Sequence, residues 1–254
     1  MVTLILNPVA GERRGLKVLE PLQRLLSRLG GDVEIVKTIA PGDGAHLAAV
    51  ALKRGCDHIV AVGGDGTVLE VLTSLAGQDA TLGIVPLGTT NAIAHNLSLP
   101  MAWEEAVRIA LTGTPRSVDV GLIGDRPFLG SATLTTEVTD GTPTAIGRLF
   151  KGRNDATGAL LAFEIIIDDV LTLNASAHTV QIANLPGGSD GLLDLTIEGN
   201  GTPTFMKARR IEFRAPTDLA LRLDGEVRRA AAPLILQVAP KRQDILVPTS
   251  NEEL

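Results

Sequence analysis

Val62-Gly63-Gly64-Asp65-Gly66-Thr67-Val68 stands where the aliphatic run 59–62 hands over to a segment of helical period, 67–75. Three glycines at the end of a buried strand let the backbone approach an anion and adopt positive φ. The helix that follows offers unpaired N–H groups and the favourable end of its dipole. That is the local chemistry of a phosphate-binding turn. Asp65 is the odd residue, because a carboxylate beside a phosphate is repulsive unless a metal or metal-bound water lies between them; on that ground it is assigned to magnesium. Taken alone, the same residues also describe a tight turn with Asp65 or Thr67 as a helix cap. Spacing removes two other phosphate motifs. A dinucleotide fingerprint starting at Gly64 needs glycine at position 69, which is leucine, and no Gly-x4-Gly-Lys-Ser/Thr is present.

A second turn of the same kind, Pro86-Leu87-Gly88-Thr89-Thr90-Asn91-Ala92, follows the aliphatic run 82–86 and opens another helical segment. A third, Asn7-Pro8-Val9-Ala10-Gly11, ends the run 2–6 and has Arg13 and Arg14 behind it, cations available to a phosphate. Through the first 118 residues, short aliphatic runs (2–6, 33–38, 59–62, 82–86) alternate with longer helical ones (15–29, 44–53, 67–75, 90–96, 103–111). That order is expected of strand and helix units around a parallel sheet. The two glycine turns then lie side by side at the carboxyl ends of their strands, where open α/β sheets take ligands, and the coincidence favours a nucleotide. Each has a plainer reading alone, Thr-Thr-Asn as a helix cap and the arginines as solvated surface.

After Ser117-Val-Asp-Val-Gly the texture changes to short segments rich in threonine, valine and isoleucine between Gly, Asn, Asp and Pro turns. This predicts a mainly antiparallel β domain. The expected division is an α/β nucleotide-binding domain over 1–118 and a β-sandwich over 119–233. Residues 147–158 read as a polar loop. The stretch 234–247 reads as two short strands around the Pro240-Lys-Arg turn, and periodicity leaves open whether 234–248 returns to the first domain.

Composition excludes several partners. Net charge of −6 gives no overall attraction for nucleic acid or anionic lipid, so any anion has to be held locally. With 2% aromatic residues and no tyrosine, base-stacking platforms are hard to build, and no nucleic acid partner is expected. The single cysteine, Cys56, leaves no internal disulfide and points to a reducing, cytoplasmic setting. No apolar run approaches the roughly 18 residues of a bilayer span, so contact with a membrane is expected to be peripheral, at its inner face. The basic stretch Lys207, Arg209, Arg210 and Arg214 has two readings, a face for anionic lipid headgroups or a solvated strand face, and the second is favoured. The four histidines, 46, 58, 95 and 178, show no triad or zinc spacing. Oligomeric state is not fixed by the sequence, which is compatible with a homodimer.

Taken together, Asn7-Pro8, Gly63-Gly64-Asp65-Gly66-Thr67, Pro86-Leu87-Gly88-Thr89-Thr90-Asn91, Ser189-Asp190-Gly191-Leu192-Leu193-Asp194 and Leu223-Asp224-Gly225-Glu226 resemble, in order, the diacylglycerol kinase catalytic-domain family. That family includes bacterial lipid kinases and sphingosine and ceramide kinases, and the match spans nearly the whole chain. The glycine-Asp-glycine loop is shared with NAD kinases and phosphofructokinases; the two later elements belong to the lipid-kinase side.

The resemblance implies an N-terminal α/β domain with an NAD kinase-like parallel sheet and a C-terminal antiparallel β-sandwich, with lipid entering between them. It implies ATP and Mg2+ as cofactors and the hydroxyl of a diacylglycerol-like or sphingoid lipid as acceptor. By position, Thr38, Gly63, Gly64, Asp65, Gly66, Thr67 and Thr90 would contact ATP, with Asn7, Thr89 and Asn91 from the adjoining turns. Asp224 matches the general base, with Glu226 beside it. Asp190, with the carbonyls near Leu192 and Asp194, would form a structural magnesium site, and Asp119 would join the water network around the metal. Without the resemblance, Asp224-Gly225-Glu226 reads as a hairpin turn and Ser189-Asp190-Gly191 as a surface turn. Two departures stand out. Ala92 occupies a position where the family often carries aspartate, and Ser131-Ala-Thr-Leu-Thr-Thr replaces a glycine-rich, often aromatic segment. They motivate one alternative, a catalytically inactive nucleotide-binding regulatory module, and the shared glycine loop leaves another, a soluble-substrate kinase of the NAD kinase type.

Overall fold

The computed structural model describes residues 1–135, 160–184, 190–216, 219–224, 226–239 and 243–249. The polar loop expected at 147–158 and the Pro240-Lys-Arg turn lie outside the described residues.

The N-terminal half alternates as expected. Strands β1 (Val2–Leu6), β2 (Val33–Lys37), β3 (His58–Gly63) and β4 (Thr81–Pro86) are parallel, joined by helices α1 (Ala10–Leu29), α2 (Asp43–Lys53) and α3 (Asp65–Leu75). Helices α4 (Ala92–Asn96) and α5 (Trp103–Thr112) follow. The strands read as unbroken aliphatic runs because both faces are covered. Leu4, Leu6, Val60, Val62 and Val85 pack with Leu22 and Leu26 of α1 and Val107 of α5. Their alternates Ile5, Ile59, Ala61, Leu82 and Ile84 pack with Ala48 of α2 and Val71, Leu72 and Leu75 of α3.

Two helices differ from the sequence expectation. The helical segment expected at 90–96 starts at Ala92, because Asn91 takes a left-handed conformation (φ 49°). The first helix begins at Ala10, but Gly11, Glu12 and Arg13 all have positive φ inside it, so regular helix resumes only beyond them.

Strand order in this sheet is β2-β1-β3-β4, followed by β18 (Gln243–Val247) and β5 (Thr114–Val118). The chain moves outward one way from β1 to β2 and the other way from β3 to β4. The crevice between the carboxyl ends of β1 and β3 is therefore the topological switch point, where such sheets take ligands. Asn7 and the glycine turn are placed there by topology alone.

The remaining described strands are β6 (Gly121–Ile123), β7 (Arg126–Phe128), β8 (Ser131–Thr135), β9 (Leu161–Ile167), β10 (Leu171–Ala177), β11 (Thr179–Ala183), β12 (Leu193–Glu198), β13 (Thr204–Ala208), β14 (Arg210–Arg214), β15 (Leu219–Leu223), β16 (Glu226–Ala230) and β17 (Leu234–Val238). They form two antiparallel sheets, β10-β9-β14-β17-β6-β7 and β13-β12-β11-β8-β15-β16. Their inner faces share one core, with Phe128, Ile165, Ile211 and Phe213 from the first sheet against Leu134, Ile182, Leu195 and Leu221 from the second.

The 234–247 stretch divides. Strand β17 pairs with β14 and β6 of the sandwich, whereas β18 runs parallel to β4 and antiparallel to β5. Ile245 and Val247 fill the α2/α3 side of the first core, and the buried Gln243 donates through Nε2 to the Ala80 carbonyl at 2.6 Å. The far end of the chain thus closes the N-terminal sheet.

Candidate active site

Three turns meet at the carboxyl ends of β1, β3 and β4, and they meet backbone to backbone. A Cβ on Gly88 would lie 2.6 Å from the Gly64 Cα, and one on Gly11 would lie 2.0 Å from the Leu87 carbonyl oxygen. Glycine is required at these positions because no side chain fits between the turns. Asn7 ties the first turn to the second by donating from Nδ2 to Thr67 Oγ1 at 3.0 Å, while its Oδ1 accepts from the Val9 amide. The result is a cavity of about 480 Å3 lined by Asn7, Thr38, Gly64, Gly66, Thr67 and Gly88, among others. Its lining includes glycine backbone at Gly11, Gly64, Gly66 and Gly88 and the start of α3, the chemistry that accepts phosphate.

The Thr38–Pro41 segment on one side of this cavity leads into helix α2, whose N-cap, Gly42, has no side chain to cap with. Glu70 of α3 does that work from outside, accepting from the Gly42 and Gly44 amides at 2.8 and 3.0 Å. Asp43 accepts from the Ile39 and Ala40 amides, and these bonds hold its carboxyl below the usual aspartate range. Glu70→Ala should lower the unfolding free energy by about 1 kcal/mol, the usual worth of a cap. Urea titration of the two proteins measures it.

Asp65, expected at a metal, instead holds a helix. Its Oδ2 and Oδ1 accept from the Ala92 and Ile93 amides, each at 2.9 Å, so its carboxylate satisfies the start of α4. Asn91 is turned inward as well. Its Oδ1 accepts from the Gly88 amide and its Nδ2 donates to the Gly88 carbonyl, at 2.8 and 2.9 Å, closing the turn on itself. Thr89 and Thr90 are exposed on that turn and Thr38 is buried beside the first cavity.

Asp224 lies in the β15–β16 hairpin with φ of 44°, and Leu223 pairs with Glu226 across the turn. The plain hairpin reading is therefore geometrically right. The side chain, however, points inward and is 5% exposed. Its Oδ2 accepts from the Leu129 amide at 2.9 Å, and its Oδ1 accepts from the Gly130 and Ser131 amides at 2.8 Å each. Burial is the largest influence on its proton affinity and pushes the carboxyl up. The three amides oppose that shift, and the like charge of Asp65 adds to it. Gly130 has to be glycine here, since a Cβ would fall 2.7 Å from Asp224 Oδ1. The backbone of Glu226 starts β16, and its side chain lies outside the described residues.

A second cavity, about 190 Å3, opens between the domains. It is lined by Gly66, Leu69, Glu70 and Thr73 on one side and by Arg126, Pro127, Leu223 and Arg228 on the other. Gly66 and Glu70 also line the first cavity, and Leu223, which lines this one, directly precedes Asp224 in the chain.

The residues expected to hold a structural magnesium do not fit one. Asp190 accepts from the Leu192 amide at 3.1 Å and from Lys207 Nζ at 2.7 Å, and the same ammonium lies 3.5 Å from Asp194. Buried Asp119 accepts from the Gly191 amide at 2.7 Å and so ties this turn to the junction between domains. Among the described residues no three His, Cys, Asp or Glu side chains converge as a metal cage. The basic stretch is likewise engaged by carboxylates: Arg210 meets Asp169 and Glu212, and Arg214 meets Glu212 and Glu164. Among the contacts that sequence reasoning missed, the Lys207 pair was within reach. Strands β12 and β13 form a hairpin whose register sets Asp194 opposite Lys207.

Comparison with known proteins agrees with this geometry. The family model of the diacylglycerol kinase catalytic domain matches residues 1–123. A diacylglycerol kinase of Bacillus subtilis (strain 168) is 30% identical over 245 residues, covering 86% of this chain and 78% of that protein. The chain belongs to the diacylglycerol kinase family. A diacylglycerol kinase crystal structure from Bacillus anthracis superposes with a TM-score of 0.74 at 21% identity, covering 98% of this chain and 97% of that one. An NAD kinase from Archaeoglobus fulgidus, solved in complex with ATP, superposes with a TM-score of 0.59 at 14% identity, over 97% and 94% of the two chains. At these identities the two structures show a common fold: the family's α/β domain with its parallel sheet, followed by antiparallel β-sheets. No helix among the described residues is long and apolar enough to cross a membrane.

Proposed function

We propose that this member of the diacylglycerol kinase family transfers the γ-phosphate of ATP to the hydroxyl of a diacylglycerol-like or sphingoid lipid. The observation that carries the reading is Asp224, a buried carboxylate of raised proton affinity that feels the charge of Asp65 in the glycine turn and adjoins Leu223 of the cleft between the domains. The phosphates of ATP would lie against the amides of Gly64 and Gly66 and the start of α3, inside the larger cavity, with Asn7 and Thr67 holding its walls. The acceptor hydroxyl would enter by the smaller cleft, past Leu69, Pro127 and Leu223, leaving its chains outside at a peripheral contact with the membrane. Phosphoryl transfer asks for alignment, charge neutralisation on the phosphates and a group to receive the hydroxyl proton. Asp224 would receive the proton. Magnesium supplies part of the neutralisation when it enters bound to ATP.

The three amides on Asp224 fix its position, and burial raises its proton affinity, so that it takes up a proton above the ordinary 3.8. Turnover should therefore fall as pH drops through this raised value, because the protonated acid has no capacity to accept the hydroxyl proton. A profile of kcat/KM against pH, with acceptor saturating, checks the sign: the acid limb is shifted upward from the ordinary aspartate value, and a rate that rises on acidification contradicts the role. The reaction class is tested by ADP release in mixed micelles. Release should depend on a lipid alcohol and cease when its hydroxyl is capped as a methyl ether. ADP release indifferent to lipid overturns the proposal.

A further inference from the structure

We infer that Lys207 is the resident cation of the Asp190–Asp194 turn and stands in place of a divalent metal, so that this part of the β-sandwich is held without a metal ion. The backbone places it there. In the β12–β13 ladder Asp194 pairs directly with Lys207 and Leu193 with Ala208. Leu193 and Ala208 are both fully buried, which locks the register, since a slip of one residue would turn every side chain to the opposite face. A cross-strand pair of opposite charge follows from that register.

The side chains complete the arrangement. Lys207 Nζ lies 2.7 Å from Asp190 Oδ2 and 3.5 Å from Asp194 Oδ1, while Asp190 Oδ1 is taken by the Leu192 amide. A divalent ion binds carboxylate oxygen at about 2.0–2.6 Å, which overlaps the space the ammonium holds, so the two are alternative occupants. Lys207 holds the Asp190 carboxyl below its usual range, and Asp190, with Asp194 behind it, raises the Lys207 ammonium. The turn matters beyond itself, because its Gly191 amide donates to Asp119 at the domain junction. The turn that this cation holds is therefore tied to the segment joining the sheet that carries the glycine turns to the sandwich that carries Asp224.

Melting curves without nucleotide test this, comparing EDTA with millimolar magnesium, calcium or manganese. The wild-type protein should melt at the same temperature in all four. Lys207→Met should melt about 2 °C lower in EDTA, the scale of a solvent-screened ion pair. Each divalent ion should restore it, and adding Asp190→Asn should remove that response. A wild-type melting temperature that rises with divalent ion, and loses the rise in Asp190→Asn, overturns the inference. So does Lys207→Met melting like wild type with no response to the ions.

Discussion

Replacing Asp224 by asparagine is expected to lower turnover by about 10²- to 10⁴-fold, the usual contribution of a positioned base, while ATP still binds. The amide has no basic site for the acceptor's proton. It also disturbs the site structurally, because all three surrounding amides donate: Gly130 and Ser131 to Oδ1 and Leu129 to Oδ2. Asparagine offers a single oxygen, so its NH2 group must face at least one N–H, leaving a buried donor unpaired at a cost of about 1–3 kcal/mol. The variant should therefore melt earlier, and turnover has to be measured well below its melting temperature with nucleotide affinity determined alongside. Loss of turnover with affinity retained assigns the effect to proton transfer. Unchanged turnover removes Asp224 from the chemistry.

Gly88→Ala is expected to reduce kcat/KM for ATP by about 10²-fold, the effect of displacing a phosphate-facing element by about 1 Å. The added methyl would stand 2.6 Å from the Gly64 Cα and 2.7 Å from Asn91 Oδ1. Relieving both contacts parts the two glycine turns and breaks the side-chain lock that Asn91 places on its own turn. Gly201→Ala, where a Cβ meets nothing within 4 Å and φ is not left-handed, serves as the matched control and should leave ATP kinetics unchanged. Equal kinetics for the two variants would mean that contact between the turns does not position ATP.

The sheet was legible because its signals are local. The aliphatic runs of β1 to β4 needed only their own periodicity and the turn residues that end them. The glycine turns announced the close backbone approach they make, but not its conformation, since the expected positive φ is adopted by none of Gly63, Gly64, Gly66 and Gly88; the order of motifs announced the family. Contacts set by tertiary structure were hidden. Asp65 caps a helix 27 residues away, and no feature of the Gly64-Asp65-Gly66 segment names that partner. The amides that grip Asp224 come from 93 to 95 residues upstream, and because they are backbone groups of Leu129, Gly130 and Ser131 no side chain there names the partner. Helix α4 was legible, but its start at Ala92 rather than Thr90 was not, because Asn91 competes for the backbone of its own turn and trims the helix. Strands β17 and β18 are both short and mainly apolar, and the buried hydrogen bond of Gln243 and the place Ile245 takes in the first core assign β18 to the N-terminal sheet.

The central claim meets its most direct test in a single transfer reaction. ATP labelled in its γ-phosphate would be supplied with magnesium, mixed micelles of diacylglycerol and sphingoid lipid, and NAD as a competing soluble acceptor. The account predicts label in the organic phase on a lipid alcohol, absent when Asp224→Asn replaces the wild type. Label on NAD in the aqueous phase, or ATP bound with no label transferred to either acceptor, would contradict it.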